Sequence, residues 1–430
     1  NEKNPQFFAE HIKKVKSSDV ATIIYTSGST GVPKGAVHTH HSIFSLLNCP
    51  IFNWDSNNDS FLSFLPLAHV FARVLNFIML SWGISIYYFN DIKKIASICQ
   101  EVKPSVMVVV PRLLEKMYTK MTEKVESGSG IKKWIGMAAF RAANEDHPSF
   151  TQKLFKPVYE KLVYKKLREA LGGRLRIVFS GGAALNPHLY RFYLNVGFPF
   201  FEGWGLTESC PITVNRIEKI VIGTVGCAIP GMRVKTSPEG ELLVKGEMMM
   251  SEYYKNEQMT RETFDSEGWL KTGDKGSIGE DGYVKILGRF KELLKTSTGE
   301  MIAPVPIEQA LSKASFIDTA LVIGDNKKFT ACLLVPDFEV LQKMKETAQM
   351  THLSDEEFLR GTYIRNEMQT LLEKINSRLN RWEQIQDYRF ITQPLQIEKG
   401  ELTPSMKVKK ESVMNHYQDL VDSIYSEDRP

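Results

Sequence analysis

Residues 25–35 read YTSGSTGVPKG, and this stretch decides how the rest of the chain is interpreted. Besides the tyrosine it holds four hydroxyl side chains, three glycines and a lysine, Lys34. Glycines let a backbone approach an anion closely, while hydroxyl and ammonium groups donate to it. The apolar run Asp19–Tyr25 predicts a strand before the stretch, and Ile43–Leu47 predicts the start of a helix after it. Strand, polar glycine-rich loop and helix form a typical nucleotide site, so the stretch predicts a phosphate-binding loop.

This loop differs from a Walker A loop. Lys34 is followed by Gly35 instead of Ser or Thr, and the spacing between the glycines also differs. The alternative interpretation is a flexible surface loop, which would rarely begin directly on a buried strand.

The composition indicates a folded protein of more than one domain. The chain has 430 residues, 43% of them hydrophobic and 24% charged, which excludes a disordered or fibrous protein. A net charge of +4 predicts no nucleic-acid partner, but it tolerates an anionic nucleotide or an acidic membrane surface. The five cysteines are scattered without C-x-x-C spacing, so neither a disulfide framework nor a zinc site is indicated.

The apolar stretches are too short to suggest a membrane span. The most apolar one, Val74–Phe89, contains polar residues and falls short of the roughly 20 residues that a spanning helix needs, so it predicts a buried helix followed by a buried strand. The chain opens NEKNPQFFAEHIKKVK, which is not the pattern of a signal peptide. These features predict a cytoplasmic protein, with membrane association left open.

Two continuous apolar runs indicate a mainly parallel α/β sheet. Ser105–Val110 and Leu175–Phe179 are bounded by Pro or Gly, as strands covered on both faces would be. Leu113–Leu171 between them has a helical pattern, with breaks near Ser127–Gly130 and His147–Ser149.

The predicted secondary structure changes in the second half of the chain. After about Cys210, turn sequences at Pro238–Gly240 and Asp281-Gly282 precede short strands, which predicts an antiparallel β region. From Arg289 the pattern predicts a small α+β domain, with a capping box that begins at Ser354.

The predicted fold class is therefore α/β. A large N-terminal domain, residues 1–288, holds the parallel sheet and the antiparallel region, and residues 289–430 form the small C-terminal domain.

Two further segments carry groups that suit a nucleotide. Gly181-Gly182-Ala183 follows the strand Leu175–Phe179, and residues 202–208 read EGWGLTE. In the latter, Trp204 offers a flat face to a purine, Thr207 a donor to a phosphate, and Glu208 an oxygen ligand to Mg²⁺. The alternative is a tight glycine-rich turn with a buried tryptophan.

Together these segments resemble the adenylate-forming (ANL) superfamily of acyl-CoA synthetases, luciferases and peptide-synthetase adenylation domains. YTSGSTGVPKG is similar to the phosphate loop of that family, and the other segments follow in the family's order over almost the whole chain. The resemblance implies that ATP, Mg²⁺ and CoA bind. The residues implied to contact the nucleotide are Thr26, Ser27, Gly28, Ser29, Thr30, Lys34, Gly181, Gly182, Ala183 and Trp204. It also implies a catalytic role for Thr207 and Glu208, a metal site at Glu208 and Thr26, and a substrate-orienting role for His69. His38, His40 and His41 lack a metal-ligand pattern and are interpreted as polar turn residues.

The resemblance assigns further roles near and within the C-terminal domain. Asp274 and Arg289 are implied to contact the ribose. In the segment Leu402–Lys410 (LTPSMKVKK), Lys407 is implied to contact the acyl carboxylate and the α-phosphate. Lys291 is the implied hinge of a mobile domain, and Gly299 is implied to line the CoA channel.

The helical segment Leu113–Leu171 is similar to an insertion of long-chain fatty acyl-CoA synthetases, so the implied substrate is a long-chain fatty acid. Three alternatives stay open: an acyl-AMP ligase that delivers to a carrier protein, an enzyme that adenylates an aryl or amino acid, and a non-catalytic nucleotide-binding homologue. A homodimer is also left open. Because family members have about one more domain before the phosphate loop, we expect that the chain lacks an N-terminal part and is a poor catalyst alone.

Overall fold

The computed structural model describes residues 7–27, 33–49, 51–146, 149–183, 185–403 and 408–426. These form two compact units, each treated by itself below. The large unit comprises the described residues up to Thr272 together with Gly276–Ile286, and the small unit comprises Gly273–Lys275 and the described residues from Leu287 onward.

The strands of the described chain are β1 Val20–Ser27, β2 Pro33–Thr39, β3 Ser60–Ser63, β4 Ser85–Tyr88, β5 Val106–Val109, β6 Ile177–Ser180, β7 Phe200–Leu206, β8 Cys210–Val214, β9 Cys227–Ala228, β10 Met232–Thr236, β11 Glu241–Gly246, β12 Glu252–Tyr253, β13 Leu270–Ile278, β14 Val284–Arg289, β15 Leu294–Lys295, β16 Met301–Ile302, β17 Ile317–Ile323, β18 Thr330–Pro336 and β19 Ile385–Phe390.

The α-helices are α1 Phe7–Ile12, α2 His40–Leu47, α3 Val70–Ser81, α4 Ile95–Val102, α5 Pro111–Glu126, α6 Gly130–Asn144, α7 Phe150–Tyr159, α8 Lys165–Glu169, α9 Pro187–Val196, α10 Glu257–Thr263, α11 Pro304–Leu311, α12 Phe338–Thr347, α13 Asp355–Arg360, α14 Thr362–Asn376, α15 Lys410–His416 and α16 Gln418–Tyr425. Glu160–Tyr164 forms a π-helical turn between α7 and α8, and Ile92–Lys94 and Phe290–Glu292 form 3₁₀ turns. None of the helices in the described ranges has both the length and the apolar character that crossing a membrane requires.

The large unit is built on a sheet of order β4-β3-β5-β6-β7-β8-β9, in which the first five strands are parallel. Every residue of β5 and β6 is buried. Alternate residues of β5 face two different cores: Val106 and Val108 enter one apolar cluster, and Met107 and Val109 enter the other. The parallel sheet predicted from the two apolar runs is therefore confirmed.

Predictions for the connecting elements are partly confirmed. Helices α5 to α8 fill the segment Leu113–Leu171, with breaks where they were predicted. The helix and strand predicted in Val74–Phe89 also form, but the prediction that the strand is buried is wrong. Strand β4 is an edge strand, and Tyr87 and Tyr88 are exposed on it.

The phosphate-loop region departs from the predicted strand, loop and helix. Pro33–Thr39 forms a second strand, β2, which pairs with β1 in an antiparallel hairpin before α2 begins at His40. A third strand, β12, pairs with the other edge of β2. Pro33 and Gly35 give β2 low intrinsic strand propensity, so its pairing partners rather than local sequence decide its conformation.

The antiparallel region and the small domain have the predicted character. Sheet order β10-β11-β13-β14 follows the predicted turns, and strands β17, β18 and β19 of the small unit form a mixed sheet. The predicted capping box is present, because Ser354 Oγ accepts from Glu357 N and the Glu357 carboxylate accepts from Ser354 N.

Candidate active site

The β1–β2 hairpin frames the predicted phosphate loop. Thr26 is paired with Lys34, and Ser27 with Pro33, so the two strands end where the glycine-rich segment begins. Thr26 and Lys34 are both half-buried. The predicted phosphate contacts Gly28, Ser29 and Thr30 lie outside the described residues.

Tyr253 on β12 links this hairpin to the Glu208 turn. Its ring lies beneath Lys34, with the ammonium nitrogen 5.6 Å from the ring centroid. Its hydroxyl donates to Glu208 Oε1 over 2.6 Å, and the side chain is buried. The lysine and the carboxylate that were predicted from separate segments therefore share one tyrosine.

The turn that carries Thr207 and Glu208 is fixed by its neighbours. It joins β7 to β8, and Ser209 Oγ accepts from Leu206 N over 3.3 Å within it. The backbone N–H of Met250 donates to the carbonyl of Glu208 over 2.7 Å. This hydrogen bond ties the turn to the segment that leads into β12.

His38 holds the same turn from the hairpin side, and its interpretation as a polar turn residue was wrong. It is fully buried on β2, and its Nε2–H donates to the carbonyl of Thr207 over 2.8 Å. Burial lowers the pKa of His38, which favours the neutral imidazole. His40 and His41 begin α2.

The Gly181–Ala183 segment leaves the carboxyl end of β6 beside β7. A Cβ on Gly181 would lie 3.2 Å from two ring carbons of Phe71 and 3.4 Å from the carbonyl oxygen of Gly203, so a larger residue would require Phe71 to shift by a few tenths of an ångström. Within the described ranges, Ser180 Oγ is buried without a hydrogen-bond partner, directly before this segment. In open α/β sheets, ligands bind beyond the carboxyl ends of the strands, where these groups lie.

Trp204 and Glu202 occupy β7 between these segments. Trp204 is half-buried and packs against an apolar cluster that includes Val225, Leu242 and Val284. Glu202 is 4% exposed and accepts from Leu185 N over 3.0 Å. Burial raises the pKa of this carboxyl to about 7.

His69 lies at the carboxyl side of β3 and immediately precedes α3. It is exposed. Arg73 fixes this loop, because its Nε donates to the Leu67 carbonyl over 2.8 Å and its Nη1 to Thr22 Oγ1 over 2.6 Å. The His69 loop is thereby joined to the first strand of the phosphate-loop hairpin.

Asp274 and Arg289 both belong to the small unit and form an ion pair of 2.8 Å. The Asp274 side chain is buried within β13, whereas half of the Arg289 side chain is exposed. Gly299 has a positive φ of 93°, in the turn between β15 and β16, and a Cβ there would meet open space. The backbone of Lys291 lies in a 3₁₀ turn, and Lys407 lies outside the described residues.

Sequence reasoning missed Tyr253, His38 and Ser180. The pair Tyr253-Tyr254 stands more than 200 residues after the loop, and no local pattern connects it to Lys34 or Glu208. A histidine in a predicted loop likewise gives no local signal of burial.

Comparison with known proteins decides the family. The model described as AMP-binding enzyme matches residues 1–254, and the model of the AMP-binding enzyme C-terminal domain matches residues 291–429. The chain belongs to the AMP-binding enzyme family. The resemblance to the adenylate-forming superfamily is thus confirmed.

Two curated relatives of this AMP-binding enzyme cover nearly all of it. Long-chain-fatty-acid–CoA ligase FadD15 of Mycobacterium bovis is 33% identical over 436 residues, which are 99% of this chain and 72% of the relative. Long chain acyl-CoA synthetase 3 of Arabidopsis thaliana is 32% identical over 449 residues, which are 96% of this chain and 66% of the relative.

Solved structures of related domains share the fold. The adenylation domain of a carboxylate reductase from Mycobacterium chelonae matches with a TM-score of 0.72 at 22% identity, over 96% of this chain and 61% of that chain. The o-succinylbenzoate CoA synthetase of Bacillus subtilis, in complex with AMP, matches with a TM-score of 0.64 at 20% identity, over 92% of this chain and 69% of that chain. These matches confirm the predicted α/β fold class of the AMP-binding enzyme.

Proposed function

We propose that this AMP-binding enzyme is an AMP-forming acid–CoA ligase that activates a fatty acid, with a long-chain acid as its substrate. The observation that carries the proposal is the contact of Tyr253 with both Lys34 and Glu208. A cation and a carboxylate that contact the same tyrosine suit a magnesium nucleotide, whose charges they complement.

The first half-reaction forms an acyl adenylate. A carboxylate oxygen of the acid attacks the α-phosphorus of ATP, and pyrophosphate leaves. Lys34 and the hydroxyl of Thr26 hold the triphosphate, Thr207 donates to the α-phosphate, and His69 orients the acid. No protein nucleophile takes part, so the residues act by positioning the reactants and by compensating charge.

Glu208 fits a magnesium ion. Its carboxylate is oriented by the Tyr253 hydroxyl, and Thr26 offers a second oxygen. Across the described ranges no group of three or more His, Cys, Asp or Glu side chains could hold a metal. Mg²⁺ commonly binds through one or two carboxylates together with substrate phosphates and water, which matches this donor set. When bound, the ion offsets the negative charge of the phosphates.

The second half-reaction transfers the acyl group to CoA. The thiol sulfur attacks the acyl carbonyl carbon, the thiol proton is lost, and AMP leaves. In this proposal residues 289–430 form a mobile domain that pivots at Lys291. Lys407 serves adenylation, Gly299 lines the path of the thiol, and Asp274 and Arg289 hold the ribose in both states.

Two observations favour a long-chain acid. The curated relatives are named as long-chain enzymes, and helices α5 to α8 occupy the segment that resembles the long-chain insertion. The competing function is an acyl-AMP ligase that delivers to a carrier protein.

The test is ATP–pyrophosphate exchange over a series of saturated fatty acids, followed by thioester formation with and without CoA. We expect exchange that is strongest with long chains and thioester only with CoA. Exchange without CoA thioester would favour the acyl-AMP ligase. Absence of exchange with every carboxylate, in the protein at its natural length and with nucleotide binding retained, would overturn the ligase proposal.

A further inference from the structure

Helices α6 and α7 expose an unusual amount of apolar surface. The three highest exposed fractions among the described large apolar side chains are 82% for Phe150, 74% for Ile131 and 67% for Leu154, and all three lie on these two helices. Trp134 on α6 is 65% exposed. Helices α6 and α7 pack against each other, so these side chains belong to one region of the large unit.

The exposed residues of α7 form an ordered stripe. Phe150, Leu154 and Val158 recur every four residues, which places them along one side of the helix. Tyr159, by contrast, is buried in the apolar core of the unit. The stripe therefore lies on the side of α7 that faces away from the core.

Basic residues accompany this apolar surface. We call the combined surface the apolar–basic face and define it by Ile131, Trp134, Phe150, Leu154, Phe155 and Val158, with Lys132, Lys133, Lys153, Lys156, Lys161 and Lys165. All six lysines are exposed.

The charge of this segment stands out against the whole chain. Residues 130–170 contain nine Lys or Arg and four Asp or Glu, a net charge of +5, whereas the complete chain carries +4. The rest of the chain is thus close to neutral.

We infer that the apolar–basic face docks on the surface of a lipid bilayer that contains anionic lipids. Anionic headgroups complement the lysines, while the aromatic and aliphatic tips enter the boundary between headgroups and acyl chains. Tryptophan favours this boundary because its ring is apolar and its N–H is polar. A second copy of the chain is a poorer occupant, because two faces of the same charge would repel each other.

Vesicle flotation tests the inference without ATP, CoA or fatty acid, so a failed ligase assay does not affect it. The protein is mixed with vesicles of phosphatidylcholine, or of an equal mixture of phosphatidylcholine and phosphatidylglycerol. We expect binding to the mixed vesicles that weakens with added salt, and little binding to phosphatidylcholine alone.

Paired variants locate the contact. Phe150→Ser with Leu154→Ser, and separately Lys153→Glu with Lys156→Glu, should each reduce partitioning by about tenfold or more. The control Lys328→Glu with Lys374→Glu makes the same change of net charge at exposed lysines of the small unit and should leave partitioning unchanged. Circular dichroism confirms that every variant is folded.

Three results would overturn the inference. The first is failure of the unaltered protein to bind mixed vesicles. The second is equal loss in the control and the face variants. The third is a dimer in sedimentation analysis that the Phe150→Ser, Leu154→Ser variant abolishes while vesicle binding persists.

Discussion

Replacing Tyr253 with Phe removes one hydroxyl between Lys34 and Glu208 and keeps the ring. The lost hydrogen bond is 2.6 Å long and reaches a carboxylate oxygen. Hydrogen bonds to charged groups contribute about 1.5–3 kcal/mol. If the hydroxyl orients Glu208 for the magnesium nucleotide, kcat/KM for ATP in pyrophosphate exchange should fall about 10- to 150-fold.

The neighbouring tyrosine provides a matched control. Tyr254 is 43% exposed, and its ring lies 5.2 Å from the ammonium nitrogen of Lys255. Tyr254→Phe also removes a tyrosine hydroxyl, but at an exposed position, so kcat/KM for ATP should change by no more than about twofold. Thermal unfolding of both variants separates a loss of stability from a loss of activity per folded molecule.

A double-mutant cycle with Glu208→Gln tests the route of the effect. If Tyr253 acts through Glu208, Tyr253→Phe should lower kcat/KM much less in the Glu208→Gln enzyme than it does in the unaltered enzyme. Two outcomes would refute the reasoning. One is a folded Tyr253→Phe enzyme whose kcat/KM lies within about threefold of that of the unaltered protein. The other is a double variant whose loss of activation free energy equals the sum of the losses in the two single variants.

Three further predictions concern other residues. Burial raises the pKa of Glu202 to about 7, so folding favours the protonated carboxyl. The stability that this group contributes is therefore complete below the ordinary carboxyl pKa, and it is lost as the pH rises through about 7. Glu202→Gln should remove about 3 kcal/mol from the change in the free energy of unfolding with pH, measured by urea unfolding at a series of pH values. The prediction is contradicted if the free energy of unfolding depends on pH as strongly in the variant as in the unaltered protein. Gly181→Ala should lower stability by about 1–3 kcal/mol through contact with Phe71, and Phe71→Leu should restore part of it in thermal unfolding. Arg289→Ala takes the ion pair away from the buried Asp274 carboxylate, so it should lower stability by about 1–3 kcal/mol. In the enzyme that remains folded it should raise KM for ATP about tenfold, and equal KM values would exclude the ribose role.

Much of the fold was predictable because it follows from local rules. Buried apolar runs predicted β5 and β6, and turn residues predicted the hairpins of the antiparallel region. The capping box at Ser354 needed only its own four residues. Each of these features is decided by neighbours in sequence.

The parts that were missed depend on distant partners. Strand β2 contains Pro33 and Gly35, so it reads as a loop until β1 and β12 pair with its two edges. The burial of β4 was overestimated because its apolar composition does not reveal that it is an edge strand. In the candidate site, the motifs of Lys34 and Glu208 proposed these two residues, whereas Tyr253 became a candidate only when the structure brought the three segments together.

The pairing of β2 with β12 has a consequence for the order in which the protein forms as it is synthesised. Val37 pairs with Glu252, 215 positions later in the chain. At typical rates of synthesis, roughly 10 to 40 s pass between the emergence of these two strands. During that interval Lys34 has no Tyr253 ring beneath it, and β2 has no partner strand at its second edge. A ribosome paused before Ser251 has therefore already synthesised all the parallel strands of the large unit, but not β12, the second partner of the hairpin that carries Lys34.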